Sequence, residues 1–106
     1  MSILDNYDPG DDLLFLAETD VEAAQLKRAV EATVYVSKKT KDIEFESAQG
    51  SVELRKALAG ASDSYEQAME KYFDAIETSE ALQNKRKTAQ LRIDVWRSVN
   101  ANRRQG

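Results

Sequence analysis

From Ser64 to Asn102 the chain runs for 39 residues without a proline or glycine. Alternate steps of four and three residues pick out Ala68, Tyr72, Ala75, Ser79, Leu82, Arg86, Ala89, Ile93, Trp96 and Asn100. That spacing keeps one face of a helix turned toward a partner. Most remaining positions are Glu, Gln, Lys, Arg or Ala, which favour helix, and Met69, Phe73 and Ile76 widen the stripe at its start. At ~1.5 Å per residue the helix would exceed 50 Å, more than one small core covers. Tyr72, Ala75, Leu82, Ala89, Ile93 and Trp96 are therefore expected to form the seam of an oligomer. Ser79, Arg86 and Asn100 interrupt that seam with polar groups, which set register or oligomer number at a cost in stability.

The segments before it suggest how the hairpin is completed. Ser62 or Asp63 can cap the long helix, and Asp63 with Glu66 has capping-box spacing. Gly50 and Gly60 bracket a short helix, residues 52–59, with Ser51 as its cap and Leu54 and Leu58 on one face. Thr19 or Asp20 can begin a first long helix with a seam of Leu26, Ala29, Thr33, Val36, Thr40 and Ile43, and Val30 alongside. Residues 33–36 and 43–46 would also suit two strands, but Ala-rich flanks and bracketing caps favour helix. Residues 1–19 read as an extended acidic arm, with Asp8-Pro9-Gly10-Asp11 as a turn and Ile3, Leu4, Tyr7 and 13–16 as apolar patches. The expected fold is all-α. An acidic arm (1–19) precedes a helical hairpin domain (20–106), two long helices joined by a short one, assembling as an oligomer.

Composition narrows the chemistry. With no His and no Cys, the usual zinc sites, histidine bases and thiol nucleophiles are excluded. Four dispersed glycines form neither a Walker loop nor a dinucleotide fingerprint. The expectation is a protein without enzymatic activity, cofactor or metal, and without a membrane span.

The net charge of −4 conceals strong polarity. Residues 1–26 hold seven acids and no base, whereas residues 85–106 hold seven bases and one acid. Tails so charged suit different partners, or each other, in the same or a neighbouring subunit. At 100° per residue, Lys85, Arg92 and Arg103 form one row and Arg86, Arg97 and Arg104 a second, with Ala89, Ile93, Trp96 and Asn100 between them. Arginines around an indole suit a single-stranded nucleic acid, whose phosphates take the guanidinium groups and whose bases stack on the ring. Equally, charged side chains flanking a helix seam commonly just cover it with their stems.

The ending Ile93-Asp94-Val95-Trp96-Arg97-Ser98-Val99-Asn100-Ala101-Asn102-Arg103-Arg104 resembles that of small, mostly helical bacteriophage proteins, as do the Gln49–Glu53 turn and the helix start around Tyr65. The resemblance spans residues 20–104. It implies proteins that neighbour single-strand annealing and recombination functions, similar in architecture to helical, oligomeric phage recombination mediators. It further implies an accessory role in recombination in the cytoplasm of a bacterial host. Single-stranded DNA or a recombination protein would be held by Arg92, Trp96, Arg97, Arg103 and Arg104 as the matching positions, to which the basic row above adds Lys85. Two other roles fit the same chain: contact inhibition of a host protein, with the acidic arm imitating nucleic acid, and purely structural helical assembly.

Overall fold

In a computed structural model, which describes residues 6–105 and side chains as far as Arg103, the chain is all-α. Three helices follow in order: α1, Pro9–Ser47; α2, Val52–Gly60; and α3, Asp63–Gln105. The two long helices and their short connector make a helical hairpin. Contacts divide it into two units. One comprises Met1–Ala24 with Glu80–Gly106, the other Gln25–Ser79. No described helix is long and apolar enough to cross a membrane.

The first helix begins about ten residues earlier than the sequence suggests. The Asp8 carboxylate accepts the Gly10 N–H at 2.9 Å, Pro9 occupies the first helical position, and Asp11 and Asp12 lie in the first turn. Proline loses nothing there, because that N–H has no helical acceptor, and its fixed φ already suits a helix. Acids in the first turn offset the positive end of the helix dipole. The Asp-Pro-Gly-Asp sequence is thus a helix start instead of a turn within an extended arm. Thr19, expected as a cap, lies inside the helix, and its hydroxyl donates to the Phe15 carbonyl at 2.7 Å.

Residues 33–46 are helical, and their threonine and serine hydroxyls are satisfied within the helix. Thr33 donates to the Val30 carbonyl, Ser37 to Val34 and Thr40 to Val36, each at 2.8 Å. Local bonding of this kind lets hydroxyls face an interface without a partner across it. The α1 seam lies one residue away from part of the expected register. Leu26, Thr33 and Thr40 are turned inward with Val30 alongside, as expected, but Ser37 joins them, while Ala29, Val36 and Ile43 stay exposed.

The connector follows its caps. Gly50 has φ +119°, where a side chain is strained, and a Cβ there would lie 2.7 Å from Leu54 Cδ2. The Ser51 hydroxyl accepts the Leu54 N–H at 3.2 Å, and the Ser62 hydroxyl accepts the Tyr65 N–H at 3.2 Å. Leu54 and Leu58 do not pack as their spacing suggests; both are exposed, and Ala59 is the residue α2 buries. Arg55 fastens α2 instead, lying 4.3 Å over the Phe45 ring while its Nε donates to the Phe45 carbonyl at 3.1 Å.

In α3 all ten residues of the expected stripe are buried or partly buried. The packing is nonetheless thin. Among the described residues the buried apolar side chains are Ala59, Ala68, Ala89 and Ile93, of which Ile93 alone is large. Truncating Ile93 to Ala should therefore cost about 3 kcal/mol, measured by urea unfolding followed by circular dichroism. A loss below about 1 kcal/mol would mean that the anchor of the Glu80–Gly106 pairing is misidentified.

Candidate nucleic-acid interface

The basic end of α3 belongs to the unit formed with the start of α1. Ala89 and Ile93 lie at the bottom of the helix contact, 0% and 1% exposed, and Leu82 and Trp96 are partly buried beside them. In the other unit Tyr72 and Ala75 are likewise partly buried. Cover for these seam residues comes, to that extent, from the chain itself. Trp96 is thus neither fully covered nor fully exposed.

Two of the basic residues are engaged by α1. Arg92 grips the Asp12 carboxylate with both nitrogens, Nε to Oδ2 and Nη2 to Oδ1, each at 2.8 Å. This two-pronged geometry is the strong form of the arginine–carboxylate contact. Asp12 is 7% exposed and also accepts a hydrogen bond from the Tyr7 hydroxyl. Hydrogen bonds from Arg92 first, and then Tyr7, pull the Asp12 carboxyl down to about 2. The same contact pushes the Arg92 guanidinium further up, and burial together with Asp12 raises the Tyr7 hydroxyl.

Arg86, the charged residue within the seam, finds three acceptors on α1. Its Nη1 donates to the Leu16 carbonyl at 2.8 Å and to Thr19 Oγ1 at 2.6 Å, and its Nη2 lies 3.3 Å from Asp20 Oδ1. A guanidinium placed in a helix seam is costly unless its donors are used, and here both terminal nitrogens are. The sequence suggests a register-setting role for Arg86 and a capping role for Thr19 or Asp20, but no bond between them. Only opposite charge at the two ends of the chain hinted at this pairing.

Lys85, Arg97 and Arg103 are exposed, and the side chain of Arg92 is still 51% exposed despite its bond to Asp12. The side chain of Arg104 lies outside the described residues, as do Ile3, Leu4 and Asp5 of the expected arm. Lys85 and Arg92 also line an open cleft of about 410 Å³ with Asp12, Phe15, Asn84 and Thr88. Phe15 was not foreseen as part of this surface, because it was assigned to an arm. Among the described residues, no group of three or more carboxylates gathers where it would hold a metal ion.

No protein-family model matches the chain, and comparisons with curated proteins and with solved structures likewise find no match.

The Asp12 contact makes a pH prediction. Its folded pKa lies below the unfolded value near 3.8, so its stabilisation is complete above about pH 4 and is lost as pH falls toward 2. Thermal melts between pH 5 and 2 should show a drop in stability that Asp12→Asn largely lacks, since the asparagine has no charge to lose. Parallel pH curves for the two proteins would show that the contact adds nothing to folding.

Proposed function

We propose that this is a non-enzymatic phage accessory protein of DNA recombination, working as an oligomer and binding single-stranded DNA along the C-terminal half of α3. The observation that carries the reading is the set of exposed cations, Lys85, Arg92, Arg97 and Arg103, flanking the partly buried Trp96 on α3. Between residues 85 and 103 six bases stand against Asp94 alone, so the surface is locally cationic on an acidic protein. Phosphates supply the matching charge, and unpaired bases supply faces for the indole and for Phe15 in the adjoining cleft. The setting in recombination, within the cytoplasm of a bacterial host, follows from the resemblance of the C-terminal sequence to small phage proteins.

The start of α1 supplies an internal competitor in this scheme. Asp12 and Asp20 hold Arg92 and Arg86, so a DNA strand gains those cations only by displacing a carboxylate. A second reading, contact inhibition of a host protein through nucleic-acid mimicry, draws on the exposed acids Asp8, Asp11, Glu18 and Glu22 at the same end. A recombination protein is the alternative partner for the basic surface.

Fluorescence anisotropy with labelled oligo-dT at two salt concentrations decides between DNA and protein. Binding should weaken with salt, and Arg97→Glu with Arg103→Glu should reduce both the affinity and the salt slope, the latter by about one for each phosphate no longer neutralised. Asp12→Asn with Asp20→Asn should tighten binding about fivefold, the equivalent of about 1 kcal/mol of competing ion pairing removed. No anisotropy change at low salt, with a host protein retained on the immobilised chain, would replace the DNA reading with inhibition by contact.

A further inference from the structure

Within Gln25–Ser79 the two long helices carry opposite charge. Gln25–Ser47 of α1 holds five bases, all before Asp42, and four acids, a balance of +1, and residues 63–79 of α3 hold five acids and Lys71, a balance of −4. Among the described residues of this unit no ion pair forms between them. Each helix also leaves large apolar side chains in solvent. On α1 these are Val36 and Ile43, 52% and 58% exposed, with Tyr35 beside them; on α3 it is Phe73, 59% exposed.

Charge and apolar exposure coincide on single flanks. At 100° per residue, Ala29, Ala32, Val36 and Ile43 form a stripe on α1 whose outer edge carries Arg28 and Lys39, with Glu46 on the same edge past Ile43. Lys39 already leans over the Tyr35 ring, 5.7 Å from its centre. On α3, Phe73 adjoins the partly buried Met69 and Ile76, and its outer edge carries Glu66, Glu70 and Glu77. One flank is thus an apolar stripe with a mainly basic edge, the other an apolar stripe with an acidic edge. Measured from the inward rows, they lie roughly 100° away in opposite rotational senses. On antiparallel helices, opposite senses place the two stripes on opposite faces of the pair.

We propose that a second copy of this chain docks head to tail, setting the Phe73 flank of its α3 against the Val36–Ile43 flank of α1. Such a contact covers both sets of exposed apolar residues and brings Arg28 and Lys39 to Glu66, Glu70 and Glu77. Because its two sides are different surfaces, it repeats from copy to copy and ends only if the rotation closes a ring. The unexpected α1 register then has a cause: Ala29, Val36 and Ile43 follow seam spacing because they face a neighbouring chain. The inference rests on the self-association proposed above, but its residues lie outside the unit that carries Arg97 and Arg103. Mass and DNA affinity therefore fail independently.

Sedimentation velocity on the full chain, over roughly a hundredfold range of concentration, tests it. The wild type should exceed the mass of one chain and grow with concentration. Val36→Asp and Phe73→Asp, both at exposed positions, should each sediment as one chain with unchanged helicity, and their equimolar mixture should form a two-chain complex through the surviving flanks. Should either variant lose helicity, charge reversal replaces it. Arg28→Glu with Lys39→Glu, and Glu66→Lys with Glu70→Lys, should each disrupt assembly alone and restore it when mixed. A wild type of one-chain mass throughout, variants of unchanged mass, or mixtures that fail to recombine would overturn the proposal.

Discussion

Thin packing between two long helices is the constraint on which this structure depends. The α1/α3 contact is built from alanines, hydroxyls and a few larger side chains, with Ile93 the single fully buried large residue among those described. Small residues let helix backbones approach closely but remove little apolar surface from water, at ~25 cal/mol per Å². Hydrogen bonding fills part of the deficit. Thr33, Ser37 and Thr40 close on their own helix, so the inner face of α1 holds polar groups without leaving them unsatisfied. Arg86 and Arg92 then join the helices at named points, which gives the pairing a register that alanine packing alone would define poorly.

The same two arginines would link the fold to the proposed function. The acidic beginning and basic end of the chain meet in one unit, where Asp12 pairs with Arg92 and Asp20 with Arg86. Lys85, Arg97 and Arg103 remain directed to solvent. An acidic protein thereby keeps a cationic strip, and a phosphate backbone would compete with the α1 carboxylates for the cations at its edge. Electrostatics therefore shape both the stability of this unit and any affinity for a polyanion.

Much of the fold was legible because helix periodicity and caps are local signals. The α3 stripe from Ala68 to Asn100 is turned inward throughout, and Ser51 and Ser62 cap as their positions suggest. The beginning of α1 was misread because Pro9 and Gly10 favour a turn equally well until the Asp8 cap is seen. Its register was misread because apolar residues occupy two adjacent faces, and periodicity cannot say which meets the same chain. Val36 and Ile43 look more like core than Ser37, yet Ser37 is buried. At the candidate site, the exposed Lys85, Arg97 and Arg103 followed from the helical wheel. The engagement of Arg92 by Asp12 did not, since it depends on residues 9–19 being helical and brought within reach of α3.

A chain with so small a core of its own should gain stability from company. The melting temperature measured as a function of protein concentration tests this most directly, because a self-associating fold is stabilised by mass action. The midpoint should climb steadily with concentration. A sharp, cooperative melt with the same midpoint at every concentration would show that each chain is sufficient alone, and would contradict such self-association.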